Sequence, residues 1–68
     1  MKVFAQRLKE LREEKELSQS KISKIVGVGQ TSISELEMGN RIPNADTLIK
    51  LADFFGCTID YLVGRVDY

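Results

Sequence analysis

The chain has 68 residues, with ten Lys or Arg against ten Asp or Glu, one Cys and no His. That length holds one domain with a core worth only ~3–5 kcal/mol, so association with a second copy is favoured from the outset. With no histidine and the single Cys57, a His/Cys zinc set, a Ser-His or Cys-His nucleophile and an intrachain disulfide are excluded, and no apolar run is long enough to span a bilayer.

The carboxylates stand at helical surface spacing, and Gly27 and Gly29 have no third glycine to make a phosphate cradle. An enzyme is therefore not expected, nor a cofactor, metal or small-molecule ligand. Met1-Lys2-Val3 opens an amphipathic pattern rather than a signal peptide. A lone cysteine fits a reducing cytoplasm, with Cys57 as a small buried or half-buried apolar side chain.

Phe4, Leu8 and Leu11 recur at i, i+4 and i+7 and predict a first helix from Val3 to about Lys15. On its solvated face, Arg7–Glu10 and Lys9–Glu13 are expected to attract by tenths of a kcal/mol. Leu17 closes this run, and Ser18 is a suitable N-cap for a second helix. Ile22, Ile25 and Val26 form its inward stripe, Gly27 its left-handed end, and Val28 packs in the turn. Ile33 and Leu36 then resume a helical stripe, so a third helix runs from Gln30 to about Glu37. Two short helices joined by so tight a glycine turn cannot lie antiparallel. They cross steeply as a helix-turn-helix unit, here about residues 18–37.

At about 100° per residue, the outer face of the third helix holds Thr31, Ser34, Glu35 and Met38, with Gln30 projecting from its N-terminal end. Ser32 turns toward the second helix. A DNA major groove accepts a face of this size and polarity, and it is read first by the N-terminal residues of such a helix. Gln30 suits adenine N6/N7, Thr31 a thymine methyl or, through its hydroxyl, any base, and Glu35 the cytosine amino group. The bland alternative is a solvated polar face, and Glu35 favours it, because a carboxylate near phosphates is repelled.

Charge is unevenly spread. Residues 1–24 hold seven basic and four acidic side chains, or +3; residues 25–68 hold three and six, or −3. Weak non-specific attraction to nucleic acid and reliance on specific contacts follow.

Gly39 stops the third helix, and Pro43 bars a helix from running through the loop. Asn44 caps a fourth helix, with Asp46 in its first turn and Leu48, Leu51, Ala52 and Phe55 facing inward to Gly56. Thr58 caps a fifth, with Asp60 in its first turn and Ile59 and Leu62 inward. Gly64 ends it, leaving a short tail of residues 65–68.

Leu17-Ser18-Gln19, Val26-Gly27-Val28, Thr31-Ser32-Ile33-Ser34, Glu37-Met38-Gly39, Ile42-Pro43, Thr47-Leu48, Leu51-Ala52, Phe55-Gly56 and Asp60-Tyr61-Leu62 succeed one another in a recognisable order. On these pieces the chain resembles the Cro/cI-type (Xre-like) helix-turn-helix regulators of phages and bacteria, from about Phe4 to Gly64. The resemblance implies an all-α, compact five-helix lambda-repressor-like DNA-binding domain over residues 1–68. It implies a sequence-specific transcriptional regulator, a repressor that binds double-stranded DNA at a pseudo-palindromic operator as a homodimer.

The same resemblance assigns residues. Arg12 is expected to pair with Glu37, tying the first helix to the end of the third; the alternative is an exposed arginine beside Leu11. Gln19, with Ser18 at the same helix start, is expected to meet a backbone phosphate near the free amides there; the alternative is a solvated glutamine. Asn40 and Arg41 lie where relatives contact phosphates. Two departures stand out. Lys21 replaces the acid of a capping box and brings a cation to the DNA side. Gly29 stands where Ser or Thr is usual; it caps less well but lets a phosphate approach. In similar regulators the last helix and the tail after it pair about a twofold axis, which implicates Tyr61, Val63, Val66 and Tyr68. The competing reading of this fold is a protein-interaction module, an antitoxin-like partner or a transcription adaptor, favoured by neutral charge and an apolar tail.

Overall fold

The apolar stripes resolve into helices with one shared interior. In the computed structural model, which describes residues 1–67, these are α1 (Lys2–Glu14), α2 (Gln19–Val26), α3 (Gln30–Met38), α4 (Ala45–Phe55) and α5 (Ile59–Val63), with no strand among the described residues. Phe4, Leu8, Ile22, Ile33, Leu36, Leu51 and Leu62 are withdrawn from solvent and meet in one core fed by every helix. Each such side chain contributes roughly 1.5–3 kcal/mol of burial. Leu11, Val26, Val28, Leu48, Phe54, Phe55 and the half-buried Cys57 close around it. Burial pushes the Cys57 thiol pKa up.

Short-range signals set the helix ends. The side chains of Ser18, Asn44 and Thr58 accept the backbone N–H groups of Lys21, Thr47 and Tyr61, at 3.0, 2.8 and 3.0 Å. Helices α2 to α5 each stop on a left-handed glycine. Helix α1 stops one residue earlier than its spacing suggests and has no glycine to stop it. Glu16 adopts φ 56° instead. Its N–H bonds the Glu13 carbonyl at 2.9 Å, and the Leu17 N–H bonds the Arg12 carbonyl at 3.2 Å. That pairing is a Schellman closure, built on a residue for which the left-handed region carries a steric penalty.

Two apolar positions differ from expectation. Ile25 is 48% exposed and Ile59 37%. Helix α2 packs on α3 and α4 through Ile22 and Val26, which leaves the Ile25 side open. Helix α5 has a single turn and buries only Leu62, so Ile59 stays at the rim.

Arg7 also departs from its expected partner. Glu10 accepts from Gln6 at 3.3 Å, while Arg7 reaches across to the end of the chain. Its Nη1 donates to the carbonyls of Tyr61 and, at 2.7 Å, Val66. The guanidinium lies 4.2 Å from the centre of the Tyr61 ring, and Nη2 is 3.6 Å from Asp67. Two carbonyls and a ring face offer a half-buried guanidinium more than a solvated carboxylate does. Lys9–Glu13 forms no ion pair among the described residues; Lys50–Asp46 does, at 3.1 Å on α4.

Candidate nucleic-acid interface

Ile33 and Leu36 pin α3 against α1 and α2. With that stripe fixed inward, helical spacing turns Gln30, Thr31, Ser34, Glu35 and Met38 outward. Gln30 and Thr31 are exposed, Ser34 and Glu35 half-buried, and Met38 is 62% exposed. Together with Gln19 from the start of α2, they line an open hollow of about 500 Å³. Two carboxamides, two hydroxyls, one carboxylate and one thioether thus share one accessible surface. This mixture suits base edges, which present donors, acceptors and methyl groups.

The turn before α3 is set locally. Gly27 takes φ 72°, its N–H bonds the Ser23 carbonyl at 3.0 Å, and the Ser23 hydroxyl donates to the Val28 carbonyl. Gly29 occupies the N-cap of α3 with no side-chain hydrogen bond, so the first amides of that helix remain available donors. Ser18, Lys21, Gly29 and Asn40 are all exposed around the same region of α2 and α3.

Below the hollow lies a charged network. Arg12 Nε and Nη2 donate to the two carboxylate oxygens of Glu37 at 2.6 and 2.9 Å, a bidentate pair. The side chains are 12% and 4% exposed. Arg12 Nη1 also donates to the Leu17 carbonyl at 2.7 Å. One guanidinium therefore ties α1, the α1–α2 junction and the end of α3 together. The Glu37 hydrogen bond raises the Arg12 pKa, against the smaller opposing effect of burial. Among the described residues, every buried side-chain nitrogen or oxygen has a partner.

Glu37 also governs Gln19, whose Nε2 donates to Oε1 at 3.1 Å. A carboxylate only accepts, so the amide nitrogen must face it. One N–H of Gln19 is engaged there, and the other points away from Glu37.

Arg41 does not extend freely from the loop after α3. Its Nη1 donates to Ser32 Oγ at 2.7 Å and to Glu35 Oε1 at 3.1 Å. Ser32 serves this loop rather than supporting α2, because the guanidinium reaches it from the far side of Gly39. Met38 joins the surface as well, as its outward spacing on the third helix implies. The link from Ser32 to Arg41, nine residues apart, is not announced by any local pattern. The i, i+3 spacing of Ser32 and Glu35 is the available signal for a shared partner.

The residues assigned to a twofold contact lie elsewhere. Tyr61, Val63 and Val66 are half-buried, with Tyr61 beneath Arg7. Tyr68 lies outside the described residues.

Comparison with known proteins places this geometry. A family model described as Helix-turn-helix matches residues 8–62. The cryptic phage CTXphi transcriptional repressor RstR of Vibrio cholerae is 34% identical over 61 residues, which is 90% of this chain and 55% of that protein. The HTH-type transcriptional regulator ImmR of Bacillus subtilis (strain 168) is 33% identical over 62 residues, 91% of this chain and 49% of that protein. The chain spans about half the length of these curated relatives. Among solved structures, the P22 c2 repressor in complex with synthetic operator 9T superposes with a TM-score of 0.84 at 29% identity, covering 91% of this chain and 94% of that one. The five helices thus form the DNA-binding domain fold of that repressor.

Proposed function

The chain belongs to the Cro/cI-type helix-turn-helix family, whose model matches residues 8–62, and from that membership we propose that it is a sequence-specific DNA-binding transcriptional regulator, acting as a repressor. The carrying observation is the outward polar face of α3, with Gln30, Thr31, Ser34 and Glu35 open to solvent around one hollow. In the major groove, α3 reads base edges while Ser18, Gln19, Lys21, Gly29, Asn40 and Arg41 meet flanking phosphates. The work is binding rather than catalysis, with no cofactor required, and it takes place in the cytoplasm. Among the described residues, no helix is long and apolar enough to cross a membrane.

The active form is a homodimer on a pseudo-palindromic operator, with half-sites ~34 Å apart or a multiple of that. Tyr61, Val63 and Val66 supply part of the twofold surface. Support comes from apolar groups beside them. Val3 is 45% exposed and touches the Gly64 backbone, and Ile59 sits one turn before Val63. Residues 1–68 act as a single domain.

The test is selection of random duplex DNA by the purified protein. An enriched inverted repeat with half-sites one helical turn apart, ~10–10.5 base pairs centre to centre, or a multiple of that, is the expected outcome. Enrichment of a single unrepeated site refutes the dimer. No enrichment above an unselected pool refutes sequence-specific binding.

A further inference from the structure

The Arg41–Glu35 pair has little structural purpose. Its side chains are 50% and 43% exposed, and a pair this wet adds next to nothing to stability. The loop already turns on Gly39, which is left-handed, and on the buried Pro43. The location of the pair is more telling. Glu35 lines the hollow of α3, while Arg41 is the cation of the loop after that helix. Ser32, one turn before Glu35, holds the same Nη1 at 2.7 Å.

Resting on the DNA-binding reading above, we propose that Ser32, Glu35 and Arg41 form one specificity element, in which a phosphate contact is released only by the right base. In the free protein Glu35 neutralises Arg41, and Ser32 seats the guanidinium. Against a duplex that presents a cytosine amino group at this position, the Glu35 carboxylate takes that donor. Arg41 then turns to a phosphate, where a guanidinium bonds well. Against a duplex without that donor, opening the pair leaves a bare carboxylate between phosphates, so Arg41 stays engaged. Base readout and backbone attraction become one event. A chain of zero net charge keeps its non-specific affinity low by this device and gains a phosphate contact on its operator.

The test compares wild type, Glu35→Gln, Arg41→Ala and the double variant on a random-sequence duplex and on the selected operator across a salt series. On the random duplex, Glu35→Gln should steepen the salt dependence by ~0.9, one phosphate contact, or ~3.5-fold more loss of affinity for a fourfold rise in salt. Arg41→Ala alone strands the Glu35 carboxylate beside the phosphates, so on the random duplex its slope should be no steeper than that of wild type. In the double variant it should abolish the gain made by Glu35→Gln. On the operator, Arg41→Ala should flatten the slope by ~0.9. A double variant whose random-duplex slope stays as steep as that of Glu35→Gln shows mere relief of repulsion and overturns the proposal. So does a random-duplex slope for Glu35→Gln no steeper than that of wild type. If wild type binds neither duplex at any salt, the DNA-binding reading itself falls, an outcome distinct from binding without this coupling.

Discussion

Replacing Arg12 with alanine tests whether the Arg12–Glu37 pair holds the domain together. Glu37 is 4% exposed and accepts two hydrogen bonds from Arg12 and one from Gln19. In Arg12→Ala only the Gln19 bond remains, and a nearly buried carboxylate keeps its charge without a counterion. Breaking a buried pair in this way costs ~3–5 kcal/mol. A core of this size supplies ~3–5 kcal/mol in total. Arg12→Ala should therefore be largely unfolded in buffer. Its stability is measurable by urea titration with far-ultraviolet circular dichroism, starting from protein stabilised by an excluded osmolyte. The double variant Arg12→Met, Glu37→Met should recover most of the loss, because neither charge is then stranded. The Arg12 pKa is raised, so on the guanidinium's side this contribution is fully present below its unfolded-state value and is lost in strong alkali. A loss under ~1 kcal/mol in Arg12→Ala, the scale of exposed pairs, refutes the reasoning. So does a double variant no more stable than the single one.

Three further outcomes are expected. Gly64→Ala places a Cβ 2.6 Å from Val3 Cγ1 at φ 87°, whereas Gly56→Ala meets nothing within 4 Å at φ 69°. Both carry the left-handed penalty of ~1–2 kcal/mol, but Gly64→Ala must also displace Val3, so its thermal midpoint should fall further; equal losses discount the Val3 contact. Gly29→Ser meets only Ser32 Oγ at 3.9 Å from its Cβ and supplies the missing cap. It should raise stability by ~0.5 kcal/mol, or ~2–4 °C by calorimetry, and a lower midpoint contradicts the local geometry. Gln30→Ala should weaken the selected operator by ~1–3 kcal/mol and relax one base position in a repeated selection. Unchanged affinity and preference remove Gln30 from the readout surface.

The legible features are those whose cause lies within a few residues. Ser18, Asn44 and Thr58 cap the helix starts because a side-chain oxygen two or three residues away satisfies a free amide. Gly27, Gly39, Gly56 and Gly64 stop helices because their φ is positive, and spacing alone turns Thr31 and Ser34 away from Ile33 and Leu36. Arg12–Glu37 is legible only through family resemblance, since nothing in the spacing of two residues 25 apart announces a contact.

Tertiary structure decided the rest. Arg7 left Glu10 for carbonyls 54 and 59 residues away, Glu37 took one N–H from Gln19, and Arg41 settled on Ser32 and Glu35. Glu16 accepted a left-handed backbone where no glycine was offered. Long polar side chains choose partners by what the packed helices bring within about 3 Å, and that depends on how the core closes. Apolar period and capping chemistry therefore determined, from the sequence by itself, which helices form and which face of each is wet. The packing of those helices decided which charges are neutralised, and so which remain free to meet a duplex.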